Sequence, residues 1–201
     1  MRKAVFLDRD GTVNAMVYNQ EFGLIDSPAN PDELTLLPGA GDAIRRLNEA
    51  GYATVVVSNQ PGIAKGRFTP ALLEAMTHKM HEELARSGAR VDAVYYCLHH
   101  PEAVHDEYRI RCNCRKPQPG LLLTAARTHG INMAESYMVG DGLTDVQAGA
   151  AAGCRTVWLG RRRCDACDVM AREEVRPDHL VGSLPEAVGL VLGGARHEDL
   201  C

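Results

Sequence analysis

The stretch that most narrows what this chain can be is Val5-Phe6-Leu7-Asp8-Arg9-Asp10-Gly11-Thr12, an apolar run ending in two aspartates one residue apart and then a glycine. Ala4 to Leu7 reads as a buried strand, and side chains alternate faces along a strand. Asp8 and Asp10, at i and i+2, then lean to the same side at its C-terminal end. Two carboxylates so placed repel each other and need a compensating charge. A hard cation such as Mg²⁺, which takes oxygen ligands, supplies it. An Asp-x-Asp pair also occurs in surface turns and at other metal sites, so the rest of the chain has to decide.

The 201 residues suit one domain with decorations and are enough for a real core. Charged residues make up 24% and the net charge is -4, which gives no bulk attraction to nucleic acid. No run approaches the roughly 20 apolar residues of a membrane span. Met1-Arg2-Lys3 passes straight into the strand, leaving no room for a signal peptide, so a cytoplasmic protein is expected. In that compartment seven cysteines read as reduced thiols or metal ligands. The expected partner is a small molecule, with neither nucleic acid nor membrane, and the expected state is a monomer.

Beyond Asp10 a long polar connection, Asn14 to Leu37, carries Pro28 and Pro31 and runs into Pro38. Ala40, Ala43, Ile44 and Leu47 fall at helical spacing, with Gly51 as a terminator. Tyr52 to Val57 reads as a strand covered on both faces. Thr69-Pro70 marks a helix start, and Leu72, Leu73, Met76, Met80 and Leu84 form its apolar stripe before Gly88. Val91 to Tyr96 is a strand, Gly120 to Thr128 a helix and Tyr137 to Val139 a strand. Val146 to Ala152 is a helix, Thr156 to Leu159 a strand, and Ser183 with Glu186 a capping box opening a final helix. Strands alternating with helices predict a Rossmann-like α/β fold, a three-layer sandwich with a parallel sheet. One domain over 1–192 is expected, with a cysteine-rich loop at 97–117 and a loose tail at 193–201.

In such folds ligands sit beyond the carboxyl ends of the strands. Polar residues fall there each time: Asp8 and Asp10, Ser58 and Asn59, the loop after Tyr96, and Asp141. The set is what phosphoryl transfer needs. Asp8 is the candidate nucleophile, and Asp10 the acid that protonates the leaving oxygen and then activates water. Ser58 would donate to the phosphoryl oxygens, and Lys116, with Arg115, would neutralise their charge. Asp141 would complete an Mg²⁺ shell with Asp8 and Asp10, and Asp145, one helical turn on, could hold the metal's waters or Lys116.

A second constellation is Cys97-Leu98-His99 with Cys112-Asn113-Cys114. Three thiolates and an imidazole make a tetrahedral zinc set of the structural kind. A strained Cys112–Cys114 disulfide and ligation by His100 in place of His99 stay open as alternatives. Because Cys114 adjoins Arg115 and Lys116, the zinc would hold two phosphate-binding cations in place. Cys164-Asp165-Ala166-Cys167 has no second ligand pair and reads as an exposed loop.

Asp8-Arg9-Asp10-Gly11-Thr12, Ser58-Asn59-Gln60, Arg115-Lys116-Pro117 and Gly140-Asp141 with Asp145 resemble, in order and spacing, the four motifs of the haloacid dehalogenase-like phosphatases. The resemblance reaches about Gly160 and implies Mg²⁺, an aspartyl-phosphate intermediate and, with no large insertion here, no separate cap domain. The Cys-x-His and Cys-x-Cys loop is similar to those of two branches, the D-glycero-D-manno-heptose-1,7-bisphosphate 7-phosphatases and the histidinol-phosphate phosphatases. Twelve residues, His100 to Arg111, separate the two ligand pairs, as in the heptose branch. That likeness implies a heptose bisphosphate substrate, the histidinol-phosphate or a broader sugar-phosphate phosphatase being the alternative. It also implies Arg115 as a recognition residue, with Arg9, Ser58, Asn59, Gln60, Lys116 and the Met16 to Asn19 segment near the substrate. Pro61 and Gly142 depart from the branch, which often has serine and lysine there, and the connection from Asn14 is longer.

Overall fold

The computed structural model describes residues 1–20, 23–160 and 164–193, the side chains of 164–166 excepted. Strand β1 (Ala4–Leu7) is buried along its whole length. An antiparallel pair follows, β2 (Val17–Asn19) and β3 (Leu24–Asp26). Then come α1 (Ala40–Glu49), β4 (Ala53–Asn59), α2 (Pro70–Arg86), β5 (Ala93–Cys97) and α3 (Gly120–His129). The last third runs β6 (Tyr137–Gly140), α4 (Leu143–Ala152), β7 (Arg155–Leu159), α5 (Cys164–Arg172), β8 (His179–Val181) and α6 (Leu184–Gly193).

Six strands form one sheet in the order β5-β4-β1-β6-β7-β8, every pair parallel. Alternation along β1 separates two cores. Val5 and Leu7 pack with Ile44 and Leu47 of α1, Met76 and Met80 of α2, and Val188 of α6. Ala4 and Phe6 pack with Leu121 and Leu122 of α3 and Ala148 of α4. Each large side chain so buried contributes about 1.5–3 kcal/mol, which explains the continuous apolar runs of β1 and β4. The three-layer parallel-sheet architecture is therefore as expected, and the order in which strands are added reverses at β1: β4 and β5 lie on one side of it, β6 to β8 on the other. The mouth between β1 and β6 is the place such sheets offer a ligand.

Three expectations differ. The connection from Asn14 to Leu37 is not featureless: it carries β2, β3 and a 3₁₀ turn at Pro31–Glu33 capped by the Asn30 side chain. Strands of three residues are shorter than a period-two pattern needs to show. Asp26 is ion-paired with Arg67, tying β3 to the loop after β4. Cys164 and Cys167 lie on helix α5 and not in an exposed loop, and Cys167 is half-buried. Gly193, expected to begin a tail, closes α6; residues 194–201, including Cys201, and Arg161 to Arg163 lie outside the described residues. No described helix is long and apolar enough to cross a membrane.

Candidate active site

Asp8, Asp10, Ser58, Lys116, Asp141 and Asp145 line a single cleft of about 210 Å³ beyond the C-terminal ends of β1, β4 and β6. Met16 and Ser27, flanking the β2–β3 pair, stand at its edge. A volume near 200 Å³ is below that of a drug-sized pocket, so it suits a phosphoryl group with the rest of a substrate at the rim.

Lys116 is the hub. Its Nζ donates to Asp8 Oδ1 at 2.8 Å, to Asp145 Oδ1 at 2.5 Å and to the Val57 carbonyl at 2.8 Å, so all three protons have acceptors. Burial alone would lower its pKa, but Asp145 and then Asp8 outweigh it and hold the ammonium above an ordinary lysine. The backbone around Lys116 is fixed by Asn59, whose Oδ1 accepts from Lys116 N and whose Nδ2 donates to Lys116 O, both at 3.0 Å. Asn59, expected to touch substrate, thus has its amide engaged in holding Lys116.

Asp8, Asp141 and Asp145 offer oxygens within 4.8 Å of one another. Such a group fits a hard divalent cation, which takes carboxylate oxygens and keeps several waters. Two glycines make the convergence possible. Gly11, at φ 84°, would bring a Cβ to 2.2 Å from Asp141 Oδ2, and a Cβ on Gly140 would sit 2.2 Å from Asp145 Oδ2. Trp158 Nε1 donates to the Asp141 carbonyl at 2.8 Å and fixes that residue from behind. Nothing in the sequence pattern pointed to Trp158 except its place at the end of β7.

Burial, then Asp8 and Asp145, push the Asp141 carboxyl up to about 7, although its side chain stands exposed at the cleft mouth and water screens part of that rise. A carboxylate raised in this way takes up a proton as pH falls toward neutrality, and the proton competes with a cation. Mg²⁺ measured by titration calorimetry should bind up to about tenfold more weakly at roughly pH 6 than at roughly pH 8. Equal affinity at both would show that Asp141 stays ionised throughout.

Asp10, Arg9 and Gln60 form a hydrogen-bonded group beside the acidic cluster. The Asp10 carboxylate lies beside the converging acidic side chains, not among them, and accepts from Arg9, Asn14 and Gln60. Asp145 takes the third place in the acidic cluster. Arg9 and Gln60 were expected near substrate, but they are 0% and 1% exposed and face Asp10. Arg9 lies beyond the end of β1, in the turn where its carbonyl accepts from Val13 and Asn14, and there its guanidinium folds onto the Asp10 carboxylate. Ser58 is buried at the cleft wall, its Oγ accepting from Gln60 Nε2 at 3.2 Å, which leaves the hydroxyl proton free to donate.

The second cluster assembles as expected, with His99 and not His100. Cys114 Sγ is 3.2 Å from Cys97 Sγ and 3.4 Å from His99 Nδ1; Cys97 Sγ is 3.7 Å from Cys112 Sγ. A tetrahedral zinc with bonds of about 2.3 Å to sulfur sets ligand–ligand edges of about 3.8 Å, so the four donors fit that ion. The His100 Nδ1 instead accepts from Glu102 N. Cys112 and Cys114 are free thiols and not a disulfide. Arg115 is half-buried, its Nη1 donating to the His99 carbonyl at 3.3 Å, which ties it to this cluster.

A family model described as HAD-hydrolase-like matches residues 113–187. The chain is 43% identical over 183 residues to the D-glycero-beta-D-manno-heptose-1,7-bisphosphate 7-phosphatase of Salmonella typhi, covering 91% of this chain and 92% of that one. To the protein of the same name from Escherichia coli K12 it is 46% identical over 158 residues, 79% of this chain and 78% of the other. Among solved structures, the D,D-heptose 1,7-bisphosphate phosphatase from B. bronchiseptica complexed with magnesium and phosphate superposes with a TM-score of 0.77 at 34% identity, covering 96% of this chain and 99% of that one.

Proposed function

The chain belongs to the haloacid dehalogenase-like phosphatases, which are phosphoric monoester hydrolases, and from that premise we propose that it removes the 7-phosphate of D-glycero-β-D-manno-heptose 1,7-bisphosphate. The observation that carries the reading is the convergence of Asp8, Lys116 and the Asp141–Asp145 pair in a cleft sized for one phosphoryl group, with the cluster-held Arg115 next to Lys116 in the chain. The names of the relatives supply the sugar and its β-anomer.

The chemistry follows from the geometry. Asp8 keeps exposure to the cleft while Lys116 holds one of its oxygens, so its carboxylate is aimed at an incoming phosphorus. Attack forms an aspartyl-phosphate on Asp8 and expels the sugar oxygen, which takes a proton from Asp10. Asp10 then accepts a proton from the water that splits the intermediate. Lys116 and the Ser58 hydroxyl stabilise the charge that spreads over the phosphoryl oxygens. Asp8 and Asp141, backed by Asp145, would hold Mg²⁺, which neutralises phosphate charge when bound. The free cluster thiols support a cytoplasmic setting for this reaction, and we take the acting unit to be a monomer.

Specificity is tested at Arg115. A guanidinium can form two parallel hydrogen bonds to a second phosphate, which no small ester offers. Arg115→Ala should lower kcat/KM on the bisphosphate by about 10–100-fold, the worth of one charge-assisted contact, and change that on a small aryl phosphate by less than about threefold. In wild type the bisphosphate should exceed histidinol phosphate and heptose 7-phosphate. Higher kcat/KM on histidinol phosphate would overturn the substrate and favour the histidinol branch.

A further inference from the structure

The mechanism uses Asp10 but leaves unexplained the polar cradle built behind it. Arg9 and Asn14 are wholly buried, and Gln60 nearly so. Arg9 donates through Nε to Asp10 Oδ1 at 3.0 Å and through Nη2 to Oδ2 at 3.1 Å. Asn14 Nδ2 adds a second bond to Oδ1 at 2.9 Å, and Gln60 Nε2 a second to Oδ2 at 2.7 Å. Each oxygen therefore receives two N–H groups. The Gln60 amide has one permitted orientation: its Oε1 accepts from Arg9 Nη2 at 3.1 Å, and reversal would set its oxygen against the carboxylate. Its backbone N–H donates to the carbonyl of Cys97, so its loop is tied to the thiol cluster. Tyr96 covers the guanidinium, 5.6 Å from ring centre to Cζ.

As packing alone this is a costly arrangement. A buried ion pair with its amide partner is often matched or bettered in stability by apolar residues of the same volume. The cradle serves one carboxylate, and that carboxylate borders the cleft. We propose that Gln60, with Arg9 and Asn14, is a positioning device that fixes the Asp10 side chain at the cleft, one of the four N–H contacts opening when Asp10 carries the proton that it hands to the leaving oxygen and closing again on the carboxylate left behind; Gln60 acts through Asp10 and touches no substrate. The proposal rests on the reading of Asp10 as the acid.

Leaving-group dependence separates this role from a structural one. A phenolate must be protonated as it leaves, whereas dinitrophenolate departs as the anion. The test measures single-turnover release of phenol and of dinitrophenol from their phosphate esters by an excess of Mg²⁺-loaded full-length enzyme. Gln60→Met keeps volume but removes both amide partners. It should slow phenol release by about 10–100-fold, part of the usual worth of an acid catalyst, while slowing dinitrophenol release less than about threefold. The enzyme concentration giving half-maximal rate should stay unchanged. Asp10→Asn should show the same pattern, more steeply. If Gln60→Met does not fold, Gln60→Glu, which keeps the Arg9 contact but sets an acceptor against Asp10, should give the same split. Equal losses on both esters, or none, with Asp10→Asn still leaving-group dependent, would overturn the cradle's role alone. A flat response from Asp10→Asn would remove the acid reading itself and the proposal with it.

Discussion

Asp8→Asn is expected to bring phosphate release to background, a loss on the order of 10⁶-fold, the scale seen when a covalent nucleophile is removed. Asparagine is nearly isosteric, but its amide cannot form the acyl-phosphate. The fold should survive. Asp8 is one of three carboxylates crowded within 4.8 Å, and Lys116 keeps Asp145 and the Val57 carbonyl when Asp8 is neutralised. Relief of repulsion between Asp8 and its acidic neighbours should leave the metal-free melting temperature unchanged or raised. Mass spectrometry of acid-quenched wild type should find phosphate on the peptide carrying Asp8, and none in Asp8→Asn. Near-wild-type turnover in the variant would rule out the covalent route.

What could be read from the chain follows from how much of each feature is local. The β1 run is continuous and ends in Asp8 and Asp10, so strand, face and site are written in eight residues. Ser58 and Asp141 join the cleft from other strand ends, where parallel topology places them without long-range information, while Lys116 arrives from the loop after β5 and Asp145 from the first turn of α4. A cation beside two carboxylates invites a substrate role for Arg9, whereas its burial against Asp10 depends on the turn that follows β1, which the residue pattern does not show. The engagement of Gln60 with Asp10, 50 positions away, depends on the register of β4 against β1, and that of Asn59 with Lys116, 57 away, on the path of the loop after β5; no spacing rule encodes either. Helix α5 was hidden by its own cysteines, since a Cys-x-x-Cys run invites a metal or redox reading before a helical one.

Loss of the zinc should be the largest effect of any change outside the cleft. Between Cys97 and Cys112 the chain has no strand or α-helix, only the 3₁₀ turn Asp106–Tyr108 and a few bonds such as His100 N to Tyr108 O. The four ligands therefore do most to hold the stretch that ends at Lys116, and metal-binding energy at such a site is folding energy. Wild type purified without added zinc should hold about one zinc per chain, distinct from exchangeable Mg²⁺, and Cys112→Ser should lose it. Removing one thiolate leaves Cys97, His99 and Cys114 without a closed tetrahedron, and Cys114 lies two residues from Lys116. Activity should then fall by about 10–100-fold, the usual consequence of loosening the support of a site, with a lowered melting temperature. Asn59 still grips the Lys116 backbone on both sides, so the nucleophile should remain reactive and the loss should be partial. Added zinc should restore a chelated wild type, and added Mg²⁺ should not. A zinc-free preparation that melts and turns over like the wild type would show that Lys116 is held by Asn59, Asp8 and Asp145 alone.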